Sequence, residues 1–467
     1  MGKTLKNNRL LWLIICVPAL GNLLHGYEIG IIAGAMQAMG KEITLTMTQM
    51  SFMVGIVFYG ACVSVLVAGV LADWIGRKNV LILGAALISL SMLVIGFAGD
   101  YVDILLGRSL QGFGVGLVTL TIPIYIAESI PTHLRGRGGS SVQLFLNGGI
   151  LLSALVAFIL GQFGMWREMF LWALVPSLIL FVFAFKLPKS PRWLIKKNKL
   201  TEADKVLSGF IANKEERAHE ISAIQASFGS EQKSSFRSYF QKRYLWPVLL
   251  VVFIGCLNQL TGINNFIGFS AIMLADMGLS VAALATLGTV LVTLVNFVMC
   301  FVALSLVDKL GRKPLLKKGL WGMVISCAFM LVMAWVLPAS NLKAILILVG
   351  ICAFAGSFSL GPGSMVWLLL SELLPNKVRS LGMSISLAVL LLVSGFYASV
   401  FLELASSFGY AAIFVFSVII CAIYLFLSAR YIPETNGKSL ESIHLSHPKA
   451  PQSIRKPDTV QAAVAES

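Results

Sequence analysis

Two ionisable side chains, Glu28 and Arg108, stand inside long apolar runs of this sequence. A charge near the centre of a membrane helix costs at least about 2.5–3.5 kcal/mol, so each needs a partner or a task. The first run leads outward and the fourth inward, which puts the two side chains at matching depth. A Glu28–Arg108 pair is therefore geometrically reasonable. It reads either as a fixed structural pair or as a proton switch, in which protonated Glu28 releases Arg108 and the deprotonated acid holds it. His25, one helical turn before Glu28 on the same face, either tunes that titration, touches a ligand, or fills space with one hydrogen bond. A second group of polar residues lies deep in apolar runs: Gln143, Asn258, Gln259, Asn264, Asn265 and Asn296, with Trp367 as an aromatic face. Amides beside an aromatic ring suit a polyhydroxylated ligand, although any one of them serves equally as a helix–helix hydrogen bond.

These residues need membrane helices to hold them. Of the 467 residues, 57% are hydrophobic and 12% charged, against about 25% charged in a soluble domain. Twelve apolar runs are long enough to span a bilayer as helices. They lie near 10–36, 48–72, 79–99, 102–127, 138–161, 166–187, 245–275, 280–306, 314–337, 343–370, 379–402 and 408–431. The net charge of +15 raises nucleic acid as a partner, but its placement argues against that. With the N-terminus inside, every Lys and Arg except Lys41, Arg108, Arg167 and Lys343 falls on the inner side, which is the positive-inside bias. Both termini are then cytoplasmic and the plasma membrane is the expected location. No nucleotide loop, metal cluster or nucleophile–base arrangement is visible, so an enzyme, a metal and a cofactor are not expected.

The chain also repeats itself. Asp73-Trp74-Ile75-Gly76-Arg77-Lys78 returns as Asp308-Lys309-Leu310-Gly311-Arg312-Lys313, and Glu128 with Arg135 returns as Glu372 with Arg379. The two Asp positions are 235 residues apart. Duplicated halves in a membrane protein point to a transporter that rocks about a central site. The expected fold is all-α: a six-helix bundle over 1–187, cytoplasmic linker helices over 188–244 with Thr201 as a helix cap, a second bundle over 245–431, and a largely disordered tail over 432–467. The acids and bases at the inner helix ends can pair with neighbouring helices and their dipoles. Asp73, Arg77, Glu128 and Arg135 in one half, and Asp308, Arg312, Glu372 and Arg379 in the other, form a candidate cytoplasmic gate. Topology alone would need only the cations. Gly262 and Gly361-Pro362-Gly363 interrupt spans 7 and 10 and are bending points.

Further strings join these. They are Gly26-Tyr27-Glu28, Leu134-Arg135-Gly136, Pro188-Lys189-Ser190-Pro191-Arg192-Trp193, Gln259-Leu260-Thr261-Gly262-Ile263-Asn264 and Pro433-Glu434-Thr435-Asn436-Gly437. In this order the chain resembles the sugar porter family of the major facilitator superfamily, from Leu10 to Ile443. The resemblance implies twelve helices in two pseudo-symmetric bundles, alternating access, and gating by the paired charge clusters. It places Gln143, Asn258, Gln259, Asn264, Asn296 and Trp367 at sugar-contacting positions, and Glu28 where proton-coupled members carry an acid. The implied function is proton-coupled symport of a monosaccharide or related polyol by a monomer, with a passive uniporter and a non-transporting nutrient sensor as alternatives. Five departures stand out. Glu28 replaces the more usual Asp, and His25 a frequent aromatic. Lys189 replaces a Glu, which weakens the latch. Gly268-Phe269 stands where a Tyr is usual, and Leu387 to Val393 carries no polar side chain. The second half therefore offers fewer hydrogen bonds than a typical hexose site, which suits a smaller, less hydroxylated or differently oriented ligand.

Overall fold

A computed structural model of the protein describes residues 8–40, 42–130, 135–211, 213–230, 242–279, 282–374 and 379–434. The expected disorder of the tail beyond 434 falls outside these residues. The described chain is helical, without strands. The first half contains α1 (Asn8–Met39), α2 (Met47–Ile75), α3 (Arg77–Gly96), α4 (Tyr101–Ser129), α5 (Arg135–Gly161), α6 (Trp166–Trp172) and α7 (Leu174–Ala184). Three short helices follow: α8 (Pro191–Lys196), α9 (Leu200–Leu207) and α10 (Lys214–Ser230). The second half contains α11 (Lys242–Leu260), α12 (Ile263–Gly268), α13 (Ser270–Asp276), α14 (Ala282–Leu310), α15 (Arg312–Val336), α16 (Asn341–Leu360), α17 (Pro362–Glu372) and α18 (Arg379–Tyr431). Eleven stretches are long and apolar enough to cross a membrane. The last, Gly382–Tyr431, holds two passes, because Gly409 at φ 76° and ψ 160° breaks α18. Twelve spans result.

Close approach of backbones fixes the first half. Gly26, Gly30 and Gly34 form one ridge of α1, and Gly149, Ser153 and Ala157 face them from α5. A methyl on Gly26 would sit 1.8 Å from the Leu146 carbonyl oxygen, and one on Gly149 would sit 1.9 Å from that of Leu23. Small residues four apart replace the hydrophobic drive that lipid cannot supply between helices. The same device joins α2 to α4, where a methyl on Gly112 would sit 2.0 Å from the Val57 oxygen. Tyr27 pins α1 to α6 by donating to the Met169 carbonyl at 2.6 Å. Across the halves, α2 packs on the first part of α18, and α5 packs on α14.

The linker region differs from expectation. Thr201 lies inside α9, whose N-terminus at Lys199 has no side-chain cap. The capped helices are α10, where Asn213 accepts from the Glu215 amide at 2.9 Å, and α8, where Ser190 accepts from the Trp193 amide and Pro191 occupies the first turn, favourable start signals. Spans 6 and 7 are also more broken than their hydropathy suggests. Span 6 divides at Ala173, and span 7 falls into α11, α12 and α13 at Gly262 and Phe269. At Gly262 the backbone is left-handed with φ 90°, a conformation that favours glycine. Span 10 breaks at Gly361, with Pro362 opening α17.

Candidate functional site

The two Gly-Arg-Lys steps mark one end of the molecule, called the linker end because α8 packs there. Gly76 (φ 91°) and Gly311 (φ 86°) turn the chain from α2 into α3 and from α14 into α15. In the first half the acids and bases converge. Arg77 donates to Asp73 at 2.8 Å, to Glu128 at 2.9 Å and to the Ala72 carbonyl at 2.9 Å. Asp73 also takes Lys196 of α8 at 2.8 Å, and Glu128 takes the Ser190 hydroxyl at 2.5 Å. Lys189 turns to Glu202 of α9 at 3.2 Å, so the base that stands in place of the usual acid is away from the Arg77 cluster, in a surface pair within the linker region. In the second half Glu434 accepts from the backbone amides of Arg312 and Lys313, at 3.0 and 3.1 Å. The side chains of Arg135, Asp308, Glu372 and Arg379 lie outside the described residues. Neither the expected pairing of those four nor the two-cluster gate is therefore assigned here.

Midway along the bundle a cavity opens between the halves. His25, Gln143, Asn258, Gln259, Asn264 and Asn296 all line it. Asn265 is buried but not on it. Trp367 belongs to α17, whose neighbouring Val366 and Gly363 reach the cavity, but its own side chain lies outside the described residues. Gln259 and Asn264 are set against each other across the Gly262 break: Asn264 Nδ2 donates to Gln259 Oε1 at 2.9 Å and to Ser394 at 3.4 Å. That leaves the Gln259 amide hydrogens and the Asn264 oxygen for a ligand. Ser359 donates to Asn296 Oδ1. The buried amide nitrogens of Asn147 and Asn258, both on the cavity, make no hydrogen bond of good geometry, with Cys300 and the Tyr424 hydroxyl as their nearby protein neighbours. Buried donors of this kind are rare unless something else satisfies them.

A smaller cavity adjoins the first and shares His25 and Asn264 with it. Glu28 and Arg108 both line it, 1% and 2% exposed. They do not form the expected ion pair. Neither Glu28 carboxylate oxygen meets a donor in good hydrogen-bond geometry, although the Gln111 amide and the Arg108 guanidinium both stand near it. Arg108 Nη1 donates instead to Gln111 Oε1 at 2.6 Å, one turn along its own helix, and Nε to the Met53 carbonyl at 3.4 Å. Helical neighbours three apart lie on one face, and that local acceptor holds the guanidinium. His25 Nδ1 shares a 3.2 Å hydrogen bond with Thr119, which also lines the larger cavity. Asn147, Thr119, Gln111 and Ser394 are thus site residues that sequence reading passed over. Asn147 had a signal, since it follows Gln143 by four residues on one helix face. Gln111 had one too, three residues after Arg108.

Among the described residues, side-chain hydrogen bonds between the halves run from the end opposite the linker to mid-depth. Thr48 meets Glu403 at 3.4 Å, Ser51 accepts the Leu402 amide at 3.1 Å, Ser399 donates to Tyr59 at 3.3 Å, and Cys62 meets the Ala388 carbonyl at 3.3 Å.

Two packed helical halves around a polar, membrane-buried cavity define a membrane transporter. A family model described as Sugar (and other) transporter matches residues 14–446, and the chain belongs to that family, the sugar porters of the major facilitator superfamily. It is 33% identical over 445 residues to the glucose transporter GlcP of Staphylococcus epidermidis, covering 92% of this chain and 96% of that one. It is 29% identical over 442 residues to the galactose-proton symporter of Escherichia coli K12, covering 94% and 95%. Its fold matches the xylose transporter XylE from E. coli in a partially occluded inward open conformation, with a TM-score of 0.79 at 23% identity, covering 92% and 99%. These relatives are transporters, and the chain is a transporter of the same fold rather than an enzyme.

Proposed function

We propose that this protein carries a monosaccharide or related polyol together with a proton by alternating access. It acts as a monomer in the plasma membrane with its linker end in the cytoplasm. The observation that carries the proton is Glu28. It is a carboxyl group buried on a cavity, with no donor in good hydrogen-bond geometry and with Arg108 on the same cavity wall. A buried acid in that setting is tolerated either with its proton or with a cation beside it. Moving Arg108 from Gln111 to Glu28 would exchange the first condition for the second. His25 and Asn264, common to both cavities, give the substrate cavity a route to that exchange. The substrate class is supported by the amides on the larger cavity and by the family. The names of the galactose-proton symporter and the glucose transporter fit the same reading.

The test is uptake of labelled sugars into proteoliposomes with and without an inward proton gradient. Wild type is expected to accumulate a sugar against its gradient, and Glu28→Gln to lose that accumulation. Continued accumulation by Glu28→Gln would refute the proton role. Uptake indifferent to the proton gradient would make the protein a passive uniporter, and binding without uptake would make it a sensor.

A further inference from the structure

The larger cavity has two unlike walls. Its amides come from α5, α11, α12 and α14: Gln143 and Asn147, Asn258 and Gln259, Asn264, and Asn296. Opposite the α5–α14 pair stands the α2–α18 pair. There the cavity meets Phe58, Ala61 and Val65 of α2, and Leu387, Leu390 and Leu391 of α18. Among the described residues the one polar side chain on that wall is Ser394, one turn beyond Leu390 and Leu391, whose oxygen already accepts from the Asn264 amide at 3.4 Å. A pyranose shows consecutive ring hydroxyls along one edge and the C5–C6 portion along the other. Amides match the first edge. Leu387, Leu390 and Leu391 themselves offer the second nothing to hydrogen-bond, so a hydroxyl set against them and away from Ser394 would be stripped of water without replacement.

We propose that the preferred substrate is a 6-deoxyhexose, a pyranose whose exocyclic carbon is a methyl group, seated with that methyl against Leu387, Leu390 and Leu391. The specificity rests on the sugar-transport reading above and narrows it. A methyl in this position gains apolar contact, and a hydroxymethyl loses its water. Removing the 6-hydroxyl is therefore expected to tighten binding about tenfold. Removing the whole carbon, as in a pentose, gives up the burial of one carbon and is expected to bind about fourfold more weakly than the 6-deoxyhexose.

Matched pairs test this on the intact protein in proteoliposomes: D-galactose against 6-deoxy-D-galactose, and D-glucose against 6-deoxy-D-glucose, with D-xylose as the pentose. Competition for the best labelled substrate, and binding followed by tryptophan fluorescence, give the affinity ratios. Tighter binding of the 6-deoxy member in at least one pair is the expected result. Leu390→Gln should then erase or reverse that ratio. The comparison among ligands on wild type stands even if this variant fails to fold. If each hexose binds as tightly as its 6-deoxy partner, the wall does not select, and the inference falls while sugar transport stands. If no sugar of the set binds, both fall.

Discussion

Gly26→Ala should damage the first half more than any property of alanine suggests. The added methyl would lie 1.8 Å from the Leu146 oxygen, 2.8 Å from its carbonyl carbon and 3.0 Å from the Ile150 nitrogen. All three are backbone atoms, so no side chain can swing aside. Reaching even 3.0 Å from the oxygen needs α1 and α5 to part by about 1.2 Å along that contact. Overpacking of this kind costs about 1–3 kcal/mol. The gain in helix propensity from glycine to alanine returns up to about 1 kcal/mol, leaving a net loss of about 1–2 kcal/mol. At roughly 2–4 °C per kcal/mol for a unit of this size, the melting temperature in detergent should fall by several degrees. Gly69 is the matched control. It lies within α2, nothing stands within 4 Å of its added methyl, and Gly69→Ala keeps the propensity gain without the clash. Its melting temperature should be equal to or above wild type. Both variants would be followed by thermal unfolding of the purified protein. If Gly26→Ala melts with wild type, or Gly69→Ala falls as far as Gly26→Ala, backbone contact does not set the α1–α5 distance.

Two further outcomes follow from side chains. Glu42 accepts from Arg167 at 2.5 Å and from the Trp166 indole at 3.1 Å, and these donors hold its carboxyl below the ordinary 4.5. Its stabilisation is therefore complete above that ordinary value and lost as pH falls through the lowered one. The melting-temperature gap between wild type and Glu42→Gln should be present at neutral pH and close in acid; a gap independent of pH would refute this. Gln111→Leu removes the acceptor of a buried guanidinium, a hydrogen bond to a charged group worth about 1.5–3 kcal/mol. It should lower the melting temperature, while an unchanged melt would mean that Arg108 is held elsewhere.

The twelve passes were legible because the bilayer forces each to be long and apolar, a constraint that hydropathy reads directly. The Gly262 and Gly361 breaks were legible because the residue types announce them. The break at Phe269 was not, since an ordinary apolar residue carries it. The site was legible where amides stand out against apolar runs. Asn147 was less legible, because a lone amide in an apolar run serves equally as a helix–helix hydrogen bond, and only the i, i+4 face it shares with Gln143 marks it. The Glu28–Arg108 pair shows a different limit. Depth along two helices can be read from sequence, but competition between acceptors is a matter of distances, and Gln111 lies nearer. The two Gly-Arg-Lys turns were legible as a repeat, yet they are completed by unlike partners, Trp193 at one and Glu434 at the other, that no repeat could reveal.

That unlikeness bears on the order in which the molecule can be assembled. The turn at Gly76 lies under the Trp193 ring, whose Nε1 donates to the Asp73 carbonyl at 3.1 Å. The turn at Gly311 lies under Glu434, which caps the first amides of α15. As the chain leaves the ribosome, the first half can close its turn once residue 193 has emerged. The second half must hold its own turn uncapped while α16, α17 and α18 are made, until residue 434 arrives. Domains complete in order of synthesis when their contacts are available. The duplicated halves are therefore unequal in time, with one finished early by the segment that follows it and the other finished last.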